Sequence, residues 1–110
     1  MGEVVIATYE VDFKNQEKFF ELLKNKREYF LKKGYITTRP CILLRSEKDD
    51  KFLLEIFEWA SEKHTKIAHK DKVVRKFWLD MEKIWTSGGF NWNKVPESKE
   101  PFAHFELIDI

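Results

Sequence analysis

The segment Phe52-Leu53-Leu54-Glu55-Ile56-Phe57-Glu58-Trp59 reads as a β-strand carrying large apolar side chains in both parities, and this narrows what the chain can fold into. Phe52, Leu54 and Ile56 point one way; Leu53, Phe57 and Trp59 point the other. Val4 to Asp12 repeats the pattern, with Val4, Ile6 and Thr8 opposite Val5, Ala7, Tyr9 and Val11. So does Phe102 to Ile110, with Phe102, Ile108 and Ile110 opposite Ala103, Phe105 and Leu107. Strands that are apolar on both faces need cover on both.

The remaining segments supply helix for one face. After Asn15, a cap residue, Phe19, Phe20, Leu23, Phe30 and Leu31 recur at helical spacing, and Lys32, Lys33 and Gly34 form a stop signal. Ile36 to Ser46 reads as a second strand with Pro40 at an edge or bulge, joined to the third by the polar turn 46–51. Ser61 caps a second helical region with a kink near His69-Lys70, where Asp71 restarts it. Val74, Phe77, Trp78, Met81, Ile84 and Trp85 give the later part its stripe, and Ser87-Gly88-Gly89 ends it. Whether this region is one kinked helix or two stays open. The order is β-α-β-β-α-β in a single α+β domain over 1–110, a ferredoxin-like split βαβ arrangement with a four-stranded antiparallel sheet and both helices on one face. The simplest cover for the other face is a second copy, two sheets closing into a dimeric α+β barrel, so the partner expected is a homodimer mate.

With 20 basic and 19 acidic residues, the chain lacks the basic excess of a phosphate-tracking surface. The third strand holds no glycine and carries Glu55 and Glu58, unlike the aromatic glycine-containing strand with which an RRM stacks bases, so nucleic acid is not an expected partner. No apolar run approaches the roughly 20 residues that span a bilayer, and the N-terminal segment lacks a basic region before its short apolar run, so no membrane association and a cytoplasmic location are expected. Cys41 is the single cysteine, and His64 and His69 stand five apart rather than the three or four that pair on a helix, so neither disulfide nor metal is expected.

Residues 52–59, followed by a helix holding Ala68-His69 and then Val74 to Trp78, resemble the antibiotic-biosynthesis-monooxygenase-like domain of the dimeric α+β barrel superfamily. That family often ends its third strand with a Glu-x-x-x-Trp-like sequence and places an Ala-His in the following helix. The resemblance implies a homodimer with a pocket between helices and sheet in each subunit. Some members oxygenate phenolic aromatics without metal or flavin, so no cofactor is implied. Haem-degrading members use an Asn on the first strand and a Trp and a His on the second helical region; Thr8, Ala68 and Trp78 stand there, and none matches.

His69 is the candidate catalytic residue, an imidazole that titrates near neutrality and can take a phenolic proton; its structural alternative is a bond to a carbonyl at the kink. Trp59, Phe77 and Trp78 are candidate walls for a flat apolar ligand, or ordinary core. Tyr9 and His104 are candidates for polar tips in the pocket, provided the strand order brings them together. Trp92, with Phe90, lies in a long loop that is either a lid or an arm over a partner subunit. Arg39 and Arg45 flank Cys41 as anion binders or edge ion pairs, and Cys41 reads as a small buried residue. The expected function is a cofactor-independent oxygenase-like enzyme for a small aromatic or phenolic molecule, the alternative a non-catalytic dimeric module that holds a hydrophobic ligand.

Overall fold

A computed structural model describes residues 2–86 and 91–110. Four strands, β1 (Glu3–Glu10), β2 (Ile42–Ser46), β3 (Phe52–Trp59) and β4 (Phe105–Ile108), form one antiparallel sheet in the order β1-β3-β2-β4. Helices α1 (Gln16–Lys33), α2 (Glu62–Lys70) and α3 (Lys72–Glu82) complete an α+β domain compatible with a ferredoxin-like fold. β4 pairs with β2, Leu43 opposite Ile108, so β1 and β4 are the two edges of the sheet.

α1 buries Phe19, Phe20, Leu23 and Phe30 on one stripe, the 3.6-residue period acting as expected. It is preceded by a short turn at Phe13–Asn15, and Asn15 makes no side-chain cap bond. It ends at Gly34, whose φ of 72° is the left-handed conformation that glycine adopts without Cβ strain. The Tyr35 N–H then reaches the Phe30 carbonyl at 2.9 Å and closes the last turn.

The second helical region is two helices. Ser61 Oγ accepts the His64 N–H at the start of α2, and the backbone turns extended at Asp71, φ −76° and ψ 122°, before α3 begins. Asp71 Oδ1 accepts the Val73 N–H at 2.8 Å, while Oδ2 accepts the Tyr29 and Tyr35 hydroxyls at 2.8 and 2.6 Å. One carboxylate therefore caps α3 and ties the bend to α1.

Two strands are shorter than their hydrophobic runs suggest. Of 36–46 only Ile42–Ser46 is regular strand; Ile36 makes an isolated bridge to Trp59, and Pro40, with no N–H to donate, lies outside the ladder. β2 is flanked on both sides, so Pro40 marks no edge strand. The last strand spans Phe105–Ile108 rather than 102–110, and Phe102 is 84% exposed.

Tyr9, Leu43, Leu53, Phe57 and Trp59 face the helices and form the main core with the α1 stripe, Ala68, Val74 and Met81. The opposite face was expected to be left by the chain for a second copy to cover, but the chain itself covers half of it. Val95, with Trp92 beside it, packs on Phe52, Leu54, Leu44 and Phe105. This segment is pinned at one end by the Asn91 N–H on Thr8 Oγ1 at 2.7 Å. Farther along, the buried Glu97 carboxylate accepts Ser46 Oγ at 2.8 Å and the Glu47 N–H at 3.0 Å. The other half stays apolar and open, with Val4 64% and Leu107 67% exposed, and Ile6 and Ile42 also exposed on either side of Ile56.

Hydrogen bonding to Asp71, then burial and the Asp71 charge, pushes the Tyr35 phenol up to about 12. A raised folded value means that the stabilisation from this phenol is present below pH about 10 and lost as pH rises towards 12. Absorbance titration of Tyr35, isolated by difference against Tyr35→Phe, is expected to show this midpoint and its return towards the ordinary value in Asp71→Asn. Asp71→Ala removes the cap as well, and a loss of about 1–3 kcal/mol is expected in urea unfolding.

Candidate functional site

A partly enclosed cavity of about 240 Å³ lies on the helix side of the sheet, where α1 passes over β2 and the chain after β4. Its wall includes Leu23 and Arg27 from α1, Cys41 and Leu43, Glu55 from β3, and Ile108. The placement follows from two periodicities. Glu55 shares the inward parity of Leu53, Phe57 and Trp59, so the pleat carries a carboxylate into the core. Lys26 lies three residues beyond Leu23 and four before Phe30, on the buried stripe of α1.

These charges meet each other. Lys26 Nζ donates to Glu55 Oε1 at 2.9 Å, and Tyr9 Oη donates to the same oxygen at 2.8 Å. Lys26 is 3% exposed and Glu55 4%. The ammonium also sits 5.5 and 5.1 Å from the ring centroids of Phe30 and Phe57, whose faces help offset its desolvation. Burial, then the Glu55 charge and its hydrogen bond, raises the Tyr9 phenol well above its ordinary value, so Tyr9 stays a neutral donor at physiological pH. Burial pushes the Cys41 thiol up, and Glu55 adds to this against the opposing Arg27 and Lys26 charges, so Cys41 is a poor nucleophile.

The sequence-derived candidates fall in several places. His69, Trp59 and Trp78 are brought together, with the imidazole 6.3 Å from the Trp59 ring and 5.0 Å from that of Trp78. His69 is exposed, and its Nδ1–H donates to the Thr65 carbonyl at 2.7 Å, leaving Nε2 as the acceptor nitrogen. It does not line the cavity. Trp59 is core, stacked on Phe30 at 5.4 Å. Phe77 leans on Tyr29 at 6.0 Å and lines a shallow groove with Lys72, Lys76 and Asp80. Tyr9 belongs to the buried charge cluster, whereas His104 is exposed just before β4, at the opposite edge of the sheet, so the two do not meet. Trp92 packs on the far face, so it does not close the helix-side cavity. Phe90 and Ser87-Gly88-Gly89 lie outside the described residues.

Arg45 is tied up within the chain: it pairs with Glu106 at 3.0 Å and donates to Gln16 Oε1 at 2.9 Å. Arg39 pairs with Glu58 at the surface. Glu55, Lys26 and Arg27 were missed, although two of them carried a signal: an acid on an inward strand parity and a base on an apolar helix stripe. No group of three or more His, Cys, Asp or Glu suited to a metal converges among the described residues, and no described helix is long and apolar enough to cross a membrane.

The fold and cavity together define an α+β domain with a buried ion pair beside a partly enclosed cavity. No protein-family model matches the chain, and no curated protein matches its sequence. It is similar in structure to a conserved protein from Methanosarcina mazei Go1, at a TM-score of 0.65 and 15% identity, over 76% of this chain and 81% of that one. At that identity the likeness speaks for the fold alone.

Lys26→Met leaves the Glu55 carboxylate buried without its counter-charge, and a loss of about 3–5 kcal/mol in denaturant unfolding is expected. Adding Glu55→Gln removes the stranded charge, and the double variant is expected to recover at least about half of that loss.

Proposed function

We propose that this chain is a homodimeric, antibiotic-biosynthesis-monooxygenase-like enzyme that oxygenates a small aromatic or phenolic molecule without a cofactor. The observation that carries the reading is the helix-side cavity, apolar over most of its wall and reached by the Glu55 carboxylate. Ligand sites are typically concave and apolar with a few fixed polar groups. In this reading the cavity orients the ring and limits water, a basic group helps form the substrate anion, and the anion reduces oxygen, one atom entering the ring as it is oxidised to a quinone and the other leaving as water. His69 serves only where substrate reaches Nε2 from the solvent side, since its Nδ1–H is committed to Thr65.

The dimer part of the proposal is supported by the open half of the sheet. Val4, Ile6, Ile42 and Leu107 form an exposed apolar surface, bordered at Val4 by the Glu58–Arg39 ion pair, on a face whose other half is already covered. A second copy of the same sheet matches it in chemistry, and a two-fold interface needs only one self-complementary patch. No cytoplasmic address is required for this reading.

A second reading, a non-catalytic dimeric module that holds a hydrophobic metabolite, is favoured by the position of His69 outside the cavity. Oxygen uptake separates the two. Purified protein incubated with a panel of phenols is expected to consume oxygen with at least one of them; stabilisation by a phenol with no uptake across the panel selects the binding module. Light scattering at low micromolar concentration is expected to give twice the chain mass, falling to one chain in Ile6→Lys with circular dichroism unchanged. A wild-type monomer removes the dimer from the proposal.

A further inference from the structure

We infer that the helix-side cavity takes a single-ring ligand presenting a hydroxyl to Glu55 and an anionic oxygen to Arg27, a hydroxy-aromatic acid in its simplest form. The inference rests on the small-aromatic reading above and adds the groups that select the ligand.

Glu55 is 4% exposed, and both of its protein donors, Tyr9 Oη and Lys26 Nζ, go to Oε1. A carboxylate has about four acceptor positions, so Oε2 is left with capacity of its own. Among the described residues, no fully buried side-chain nitrogen or oxygen lacks a hydrogen-bond partner. An Oε2 without a protein partner is therefore open, and the space it opens into is the cavity that Glu55 lines. This is a built acceptor: its geometry is set by two donors on the other oxygen, and its charge is compensated by Lys26. That compensation selects the ligand group. A cation meets an acid already neutralised by its neighbour, whereas a hydroxyl donates without bringing charge into the core.

Arg27 supplies the second anchor. It lines the same cavity, is half-buried, and makes no hydrogen bond or ion pair with any described residue. Its charge and that of Glu55 both act on Cys41, which places all three groups around one space. Asp109 also lines the cavity but is exposed, so an anion is held at Arg27 and away from the Asp109 side. The remaining wall, with Leu23, Leu43, Ile108 and Ile110, suits a ring. A dry cavity of roughly 150 Å³ accepts benzene, so about 240 Å³ holds one ring with two polar substituents.

The probes are 3-hydroxybenzoate, benzoate and phenol, each titrated calorimetrically into the full chain, with protection of Cys41 from N-ethylmaleimide reporting occupancy of the cavity. The expected result is that 3-hydroxybenzoate protects Cys41 and binds at least roughly tenfold more tightly than either simpler ring, the effect of one hydrogen bond to a charged group. Arg27→Gln is expected to abolish the advantage over phenol, and Glu55→Gln with Lys26→Met the advantage over benzoate. Should that double variant not fold, Arg27→Gln decides alone, because it alters a wall residue that holds no partner. Equal binding of all three rings with Cys41 protected leaves the aromatic pocket standing and overturns the assignment of Glu55 and Arg27. Absence of calorimetric binding by every probe overturns both.

Discussion

A carboxylate at 4% exposure has to be answered by the structure around it, and much of this fold is arranged as the answer to Glu55. The pleat of β3 turns Glu55 towards the helices, and α1 meets it with Lys26 from a stripe otherwise made of Phe and Leu. Tyr9 approaches from β1, so the cluster joins three elements at one oxygen. An ion pair of this kind adds little net stability compared with an apolar pair, yet it penalises any register that separates its members. Sliding β3 by one residue would send Glu55 to the far face and leave Lys26 alone in the core. The pair thereby fixes where α1 crosses the sheet, and with it the position of the cavity.

The helix boundaries were legible in the sequence, because one local rule decides each of them. Gly34 stops α1 because only a residue tolerant of positive φ closes that turn, and Ser61 and Asp71 start α2 and α3 because their side-chain oxygens take free N–H groups. Hydrophobic periodicity alone overran the second and last strands, since it registers apolar residues but not ladder partners: Pro40 and the exposed Phe102 fall outside the pairing. Sheet order was beyond its reach. Which edge β4 joins depends on how 91–101 crosses the far face, a matter of tertiary docking through Val95 and Glu97.

The site was harder to read for a related reason. Histidines and tryptophans attract attention as residue types, and His69, Trp59 and Trp78 do gather, but at a helix bend and a core edge rather than at the cavity. The charged residues that reach the cavity wall include a glutamate and an arginine, in a chain rich in charged side chains. Their distinguishing mark is position, not type. A charged residue on a buried parity is the signal, and it becomes visible only when strand and helix patterns are read together.

The far-face cover also bears on how the chain comes to be folded. Phe52 and Leu54 are dry because Val95 and Trp92 lie over them, and that segment is fastened by Glu97 to Ser46, a contact spanning about half the sequence. β1, β2, β3 and the helices all precede 91–110 in the sequence, so until that segment docks this face is uncovered by the chain. An apolar sheet face at that stage is the kind of surface on which unfinished chains associate. Docking of 91–101 after the sheet has formed is therefore the step that takes half of this face out of water.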